Sequence, residues 1–391
     1  MTEDRNAQCC STPKPILQNG CRFDRMIQNC YDYATAAKAQ GRPIVGMMCE
    51  YTPRELILAA GGVPVCLCGG SEQKIAPAEK DLPAGLCPLI KSTYGYHITD
   101  TNPFLNMADL IVAETTCDGK KKMYELMALH RPMHILELPQ KADDPDAWTH
   151  WLAEVRKLKA VLEERLSCRI TGDALRTAIG TMNRERSLRR RLVEQMKGSS
   201  PPFTGRRLLD FKSIISGIDD DLVEYERLID TAASCRNAEN GKLRILLTGV
   251  PTVHGAEKVV DLIENAGAVI VCMENCTGIK PILDDVDESA ADPLEAIAQK
   301  YFHLPCSVMT PNQRRLELLG RLADDYRADG VIDLVWQGCL TYDVESLHVR
   351  QLAEQKGLGY LKIVTDYCPS DAARIGVRIE ALLETLRERK R

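Results

Sequence analysis

Short apolar runs alternate with helical patterns along most of the chain. PIVGMM (43–48) predicts a strand ending at Cys49, and TPRELILAAGG (52–62) follows with apolar residues at helical spacing and glycines at its end. VPVCLC (63–68) predicts a second strand running into Gly69-Gly70. A turn-rich stretch then carries Cys87, ADLIVAETT (108–116) predicts a strand ending at Cys117, KKKMYELMALH (120–130) a helix, and MHILEL (133–138) a fourth strand. Strands separated by helices imply right-handed crossovers and a mainly parallel sheet.

The same order returns over residues 242–364. KLRILLTG predicts a strand, HGAEKVVDLIENAG an amphipathic helix, and AVIVCMEN a strand arriving at Cys276. A Pro-containing stretch carries Cys306, NQRRLELLGRLADDYR predicts a helix, and GVIDLVWQG a strand ending at Cys339; VESLHVRQLAEQKG and LGYLKIVTD complete the pattern beside Cys368. LAAGGVPVCLCGG (58–70) parallels IENAGAVIVCMENCTG (263–278), and ADLIVAETTCD (108–118) parallels DGVIDLVWQGCL (329–340). Cys87 lies 30 residues before Cys117, and Cys306 lies 33 before Cys339. A duplicated architecture is the reading: two related α/β domains of Rossmann or flavodoxin-like type with mainly parallel sheets, over 43–140 and 242–391. Residues 141–241 have helical period and dense charge, so an all-helical connector is expected there, with GSSPPFTG (198–205) as a turn. Its run RERSLRRRL (184–192) reads as a solvated face balanced by neighbouring acids. Residues 1–42 read as a leader and helix, flexible over the first 20, with Cys9, Cys10, Cys21 and Cys30 making a candidate functional tail.

Charge and hydropathy narrow the class. The 391 residues carry 50 basic and 55 acidic side chains, a net charge of −5, with no bias towards nucleic acid. No apolar run reaches the ~20 residues of a membrane span. The start MTEDRNAQCCSTPKP lacks the basic-then-apolar order of a secretory signal, so a cytoplasmic address is expected. Sixteen cysteines then stand out. In a reducing compartment they are buried thiols, catalytic thiols or metal ligands rather than disulfides. Zinc is weakly supported: Cys9–Cys10, Cys66-x-Cys68 and Cys272-x₃-Cys276 lack a second matching knuckle, the seven histidines are scattered, and His130-x₃-His134 straddles Pro132. No ferredoxin-like run exists, so an iron–sulfur site must gather distant ligands. Walker, G-x-G-x-x-G and G-x-S-x-G motifs are absent.

Ligands of open parallel sheets bind beyond the carboxyl ends of the strands. Cys49, Cys117 and Cys339 directly follow apolar strands, Cys276 follows one across a short turn, and Cys87 and Cys306 lie in loops able to fold over the same edge. Each half therefore offers three thiolates: Cys49, Cys87 and Cys117 from the first, Cys276, Cys306 and Cys339 from the second. Three is one short of the four that a [4Fe–4S] cluster takes, which leaves an iron for substrate or a bridging sulfide. Cys66 and Cys272 fall inside strand patterns, which favours core packing, and Cys168 and Cys235 read as structural thiols of the connector. Cys68 and Cys368 occupy strand ends and are the rival ligand positions.

CEYTPRELILAAGGVPV (49–65), AEKDLPAGLCPLIKSTYG (78–95), ETTCDGKKKMYEL (114–126), ENCTG (274–278) and QGCLTYDVES (337–346) resemble the 2-hydroxyacyl-CoA dehydratase and benzoyl-CoA reductase superfamily. Both cysteine triads in one chain match its double-cubane-cluster branch of anaerobic reductases. The resemblance runs from about residue 20 to the end. It implies a homodimeric oxidoreductase with an [8Fe–9S] cluster, two cubanes joined by a sulfide, on Cys49, Cys87, Cys117, Cys276, Cys306 and Cys339. It further implies electrons from a separate ATP-hydrolysing iron–sulfur activator and reduction of a small molecule. No substrate-contacting residue carries over; Glu50, Lys91, Glu114 and Glu274 neighbour the ligands and are candidates for tuning potential or supplying protons, or simply solvated or capping groups. The rival in another reaction class is a lyase, one subunit of a [4Fe–4S] 2-hydroxyacyl-CoA dehydratase. A cluster carrier without turnover is the third reading.

Overall fold

A computed structural model describes residues 21–234 and 241–391, so Cys9, Cys10 and Cys235 lie outside the described residues. Each apolar run forms a parallel strand: β1 (Ile44–Met47), β2 (Val63–Cys66), β3 (Leu110–Glu114) and β4 (Met133–Leu136), then β5 (Leu243–Gly249), β6 (Ala268–Met273), β7 (Gly330–Trp336) and β8 (Gly359–Thr365). The two sheets have one topology, β2-β1-β3-β4 and β6-β5-β7-β8. Every pairing is parallel, from Ile44 against Val63 in the first sheet to Gly330 against Gly359 in the second. The protein is thus an α/β fold of two Rossmann-like or flavodoxin-like sheets. In each, the strand order reverses beside the first strand, which opens a crevice at the carboxyl edge.

β1, β3, β5, β6 and β7 are buried along their whole length, because helices cover both faces. Long-range contacts tie the second half to the first and to the helical connector. Tyr51 Oη donates to Leu304 O at 3.1 Å, Trp151 Nε1 to Ala298 O at 2.9 Å, and Tyr367 Oη to Gly69 O at 3.2 Å.

Long helices Ala147–Arg165, Gly172–Glu194 and Asp219–Ser234 lie between the sheets in sequence. This stretch is not wholly helical, since Ile215 bridges Val65 and Cys66 N donates to Ile214 O at 2.8 Å, extending the edge of β2. The basic run is also less solvated than its mixed charge suggests. Arg186 is buried against Glu55, whereas Arg184 and Arg190 reach Glu226 and Asp285 on the surface. A single run of arginines therefore serves both the interior and the solvent face. Cys21 and Cys30 pack in the core rather than forming an accessible tail. Among the described residues, no helix is long and apolar enough to cross a membrane.

Candidate functional site

Both carboxyl edges open onto one cavity of about 470 Å³. Cys49, Cys87, Cys117, Cys276, Cys306 and Cys339 all line it, and so do Cys66 and Cys68. Cys66 is therefore a wall residue, which its strand pattern concealed, because it is the last residue of β2 and its side chain faces the edge. Cys272 is fully buried in the core as expected, Cys168 stays in the helical region, and Cys368 turns away to Ser370 Oγ at 3.2 Å. Among the described residues, no three His, Cys, Asp or Glu side chains gather tightly enough for one metal ion. The thiols instead ring a space.

Their leading electrostatic neighbours cross the duplication, where the sequence suggested one triad per half. Cys87 sits against Cys339, and Cys117 is an electrostatic neighbour of both. Cys49 neighbours Cys276 and Cys306. Glycine makes the first meeting possible. Gly338 has φ +78°, and a Cβ there would stand 2.4 Å from Gly85 O and 3.2 Å from Cys87 N. A second approach joins the halves at Gly70 and Gly255, where a Cβ on Gly70 would stand 2.0 Å from His254 O.

Local structure explains how the first group is held. Cys87, Cys117 and Cys339 are the N-cap residues of helices Pro88–Thr99, Asp118–Ala128 and Leu340–Gln355. Unpaired N–H groups and the positive end of each helix favour a thiolate there. Cys87 is held below the ordinary thiol range, first by the Cys339 thiol, against burial, with backbone N–H groups of Leu89 and Ile90 helping. Cys339 is accordingly the protonated partner, raised by that contact and by burial. Burial raises Cys117, opposed by Lys120.

The second group relies on ammonium groups. Burial pushes Cys49 well up, with Lys120 opposing, and pushes Cys276 up to about 11, with Lys280 and Lys212 opposing. Lys120 Nζ donates to Met48 O at 3.0 Å; Lys212 Nζ donates to Glu50 Oε1 at 3.0 Å and Cys276 O at 2.8 Å. Lys280 pairs with Glu274 at 3.1 Å.

The four polar candidates separate. Glu50 lines the cavity; burial pushes its carboxyl up, but Arg54 and Lys212 outweigh that and hold it well below the usual range. Glu114 is fully buried behind Cys49, accepts from Thr52 Oγ1, leaves Oε2 without a partner, and is raised by burial to about 8. Glu274 is equally buried, yet Arg315 and Lys280 overcome burial and bring it to about 2. Lys91 pairs with Glu79 at 2.6 Å and does not line the cavity. Lys120, Lys212 and Lys280 were the residues that sequence reasoning missed. Lys120 had a signal, three residues beyond Cys117 in a first helical turn; Lys212 had none, because it arrives from the connector.

A family model described as "2-hydroxyglutaryl-CoA dehydratase, D-component" matches residues 49–386. The chain is 41% identical over 359 residues to a protein of Escherichia coli K12 described as "Putative dehydratase subunit YjiM", covering 89% of this chain and 93% of that protein. It is 22% identical to the (R)-phenyllactyl-CoA dehydratase beta subunit of Clostridium sporogenes, over 93% of this chain and 97% of that one. It is also 22% identical to one of the benzoyl-CoA reductase subunits of Thauera aromatica, over 74% of this chain and 77% of that one. With the duplicated sheets and the thiol-lined cavity between them, this places the chain in the 2-hydroxyglutaryl-CoA dehydratase D-component family, within the 2-hydroxyacyl-CoA dehydratase and benzoyl-CoA reductase superfamily.

Proposed function

We propose that this cavity takes an [8Fe–9S] double-cubane cluster and that the chain is a low-potential anaerobic reductase of small molecules. The supporting observation is that six thiols, three from each half, line one space of about 470 Å³. The donor set suits the group: soft anionic thiolates select iron–sulfur clusters, and a body of several metals needs its donors spread around it. Cys87, Cys117 and Cys339 would hold one cubane, and Cys49, Cys276 and Cys306 the other. When bound, such a cluster supplies single electrons at low potential. The chain's own contribution is charge and exclusion of water. Three helix N-termini and Lys120, Lys212 and Lys280 offset the anionic donors, and Glu114 keeps its proton at neutral pH beside the cavity wall. Thiols raised by burial must shed protons on loading, so cluster uptake releases acid. In this reading the chain is a cytoplasmic homodimer, and a separate ATP-hydrolysing iron–sulfur activator delivers the electrons.

A second reading has its own support. The relatives include proteins named as dehydratase subunits, and the three N-cap thiols alone form a closed set. A single [4Fe–4S] cluster on Cys87, Cys117 and Cys339 would make the chain a subunit of a 2-hydroxyacyl-CoA dehydratase. Iron and acid-labile sulfide analysis of the anaerobically purified chain decides. About eight irons and nine sulfides per chain support the double cubane, and about four of each support the dehydratase cluster. Cys306→Ala sharpens the test: it lowers iron content in the first case and leaves it unchanged in the second.

A further inference from the structure

A second chamber of about 260 Å³ adjoins the thiol cavity. Its far walls come from both halves and the connector, including Tyr96, Phe104, Ser213 and His254. Five residues line both spaces: Cys66, Cys68, Lys212, Val253 and Thr277. They form a throat, and two of its five side chains are thiols.

We propose that Cys66 and Cys68 are a thiol–disulfide exchange pair that reacts with small disulfides entering through the outer chamber. This holds whether or not a cluster fills the inner cavity. In extended chain, residues two apart point to one face and lie about 6.6 Å apart, at the upper edge of the ~4.4–6.8 Å that a disulfide spans between Cα atoms. Closing the bond must also bring the Cβ atoms within ~3.5–4.5 Å, so it bends the end of β2 between Cys66, whose N donates to Ile214 O at 2.8 Å, and Gly69, whose N donates to Thr93 Oγ1 at 3.0 Å. Both residues are partly exposed, whereas Cys21, Cys30 and Cys272 are sealed in the core. The neighbouring Cys68 thiol, against burial and aided by Lys212, brings Cys66 to about 6, while Cys68 Sγ lies 3.5 Å from Met48 O. A nucleophile poised near neutrality next to a resolving thiol is what exchange requires.

The chemistry balances within the named reactants. Cys66 thiolate attacks one sulfur of a small disulfide, forming a mixed disulfide and releasing one thiolate. Cys68 gives its proton to that leaving group and then attacks Cys66 Sγ. The mixed bond breaks, and the second small thiolate leaves and is protonated from solvent. Two protein thiols become one disulfide, and one small disulfide becomes two thiols. The throat then carries no thiolate, and Lys212 is left to Glu50 and the Cys276 carbonyl.

The test uses the full chain purified without oxygen, incubated with oxidised and reduced glutathione over a range of ratios, acid-quenched, alkylated and peptide-mapped by mass spectrometry. The expected product is one 66–68 disulfide, with Cys21, Cys30 and Cys272 alkylated only after denaturation. Cys68→Ser should stop at a glutathione adduct on Cys66, and Cys66→Ser should abolish exchange at the throat. The wild-type map needs no variant to fold, and free Cys66 and Cys68 at every ratio would overturn the proposal. Iron analysis of both serine variants separates it from the cluster reading. Iron unchanged from wild type, whatever that value, supports exchange, while iron lost from either variant makes the pair ligands and overturns it.

Discussion

The two thiol groups of the cavity solve one electrostatic problem in different ways. Collecting anionic sulfur in a buried place costs free energy, because burial disfavours the charged form. Cys87, Cys117 and Cys339 offset part of that cost with peptide dipoles, each standing at the start of a helix. Cys49 and Cys276 meet it with ammonium groups carried on Lys120, Lys280 and Lys212. Dipoles belong to the backbone and need no counterion. A buried lysine needs one, so the second group brings with it a network in which Glu274 accepts from Thr248 at 2.7 Å and pairs with Lys280 and Arg315. The ammonium-supported group can therefore be broken by one side chain, whereas the dipole-supported group leans on a lysine only at Cys117, where Lys120 opposes burial.

Removing Glu274 should have the largest effect. Glu274→Ala leaves Lys280, which is 1% exposed, without its carboxylate, and Arg315 with Glu345 alone. Breaking a buried pair from one side costs about 3–5 kcal/mol. Urea unfolding should show that loss as a lower midpoint at unchanged slope. A cost below about 1 kcal/mol would mean that Lys280 is not held by this network.

Acid and base should then separate the two buried carboxyls. Glu274, brought to about 2 from 4.5, adds stability that is present above 4.5 and lost as pH falls towards 2. Glu114, raised from 4.5 to about 8, has the opposite sign: its contribution is present below 4.5 and lost as pH rises through 8. Glu114's share of the stability of the metal-free chain should thus decline across that window by up to about 1.4 kcal/mol per pH unit, the value of one proton, against the rise contributed by the histidines that burial lowers. Glu114→Gln should remove that share, so the variant's slope between pH 4.5 and 8 should be more positive than wild type. An unchanged slope in the variant assigns the proton elsewhere.

How much of this was legible in the sequence follows from range. All eight strands could be read, because each is a contiguous apolar run, and the cysteines at their ends were visible as soon as the strands were. The N-caps were only half visible. Pro88 directly after Cys87 and Asp118 directly after Cys117 are helix-start signals, but the first stretch reads as turns because Gly85 and two prolines surround the cysteine. The grouping of thiols was not legible. It depends on how the halves dock, which is decided by close approaches such as Gly338 to Gly85, between residues more than two hundred positions apart. Arg186 shows the same limit: its partner Glu55 is 131 residues away, so a run that looked solvated is partly interior.

A smaller effect tests the lysine side. Lys212→Met removes a charge beside Cys66 without touching any helix start. Cys66 should rise from about 6 by roughly one unit, since a nearby opposite charge is worth about 1–3 units. The pH dependence of its alkylation in the metal-free chain, resolved by peptide mapping, reads this directly. Cys87, whose lowering comes from Cys339 and backbone N–H groups, should keep its profile. A parallel shift at Cys87 would mean that both groups feel the same ammonium charge.

The smallest expected effect makes the sharpest claim about the dipole side. Leu340 is the first residue of the helix behind Cys339, lines the cavity, and is 72% exposed. Replacing it by Ser removes little buried area, and surface changes of this kind stay within about 0.5 kcal/mol. The groups that favour a Cys339 thiolate are Tyr342 N and the Thr341 hydroxyl, and both survive replacement of Leu340. Leu340→Ser should therefore leave both the unfolding midpoint and the alkylation profiles of Cys87 and Cys339 where they were. A clear shift in either thiol would show that the side chain, through its apolar cover at the cavity mouth, sets the local field, and the distinction between dipole-held and lysine-held sulfur would fail.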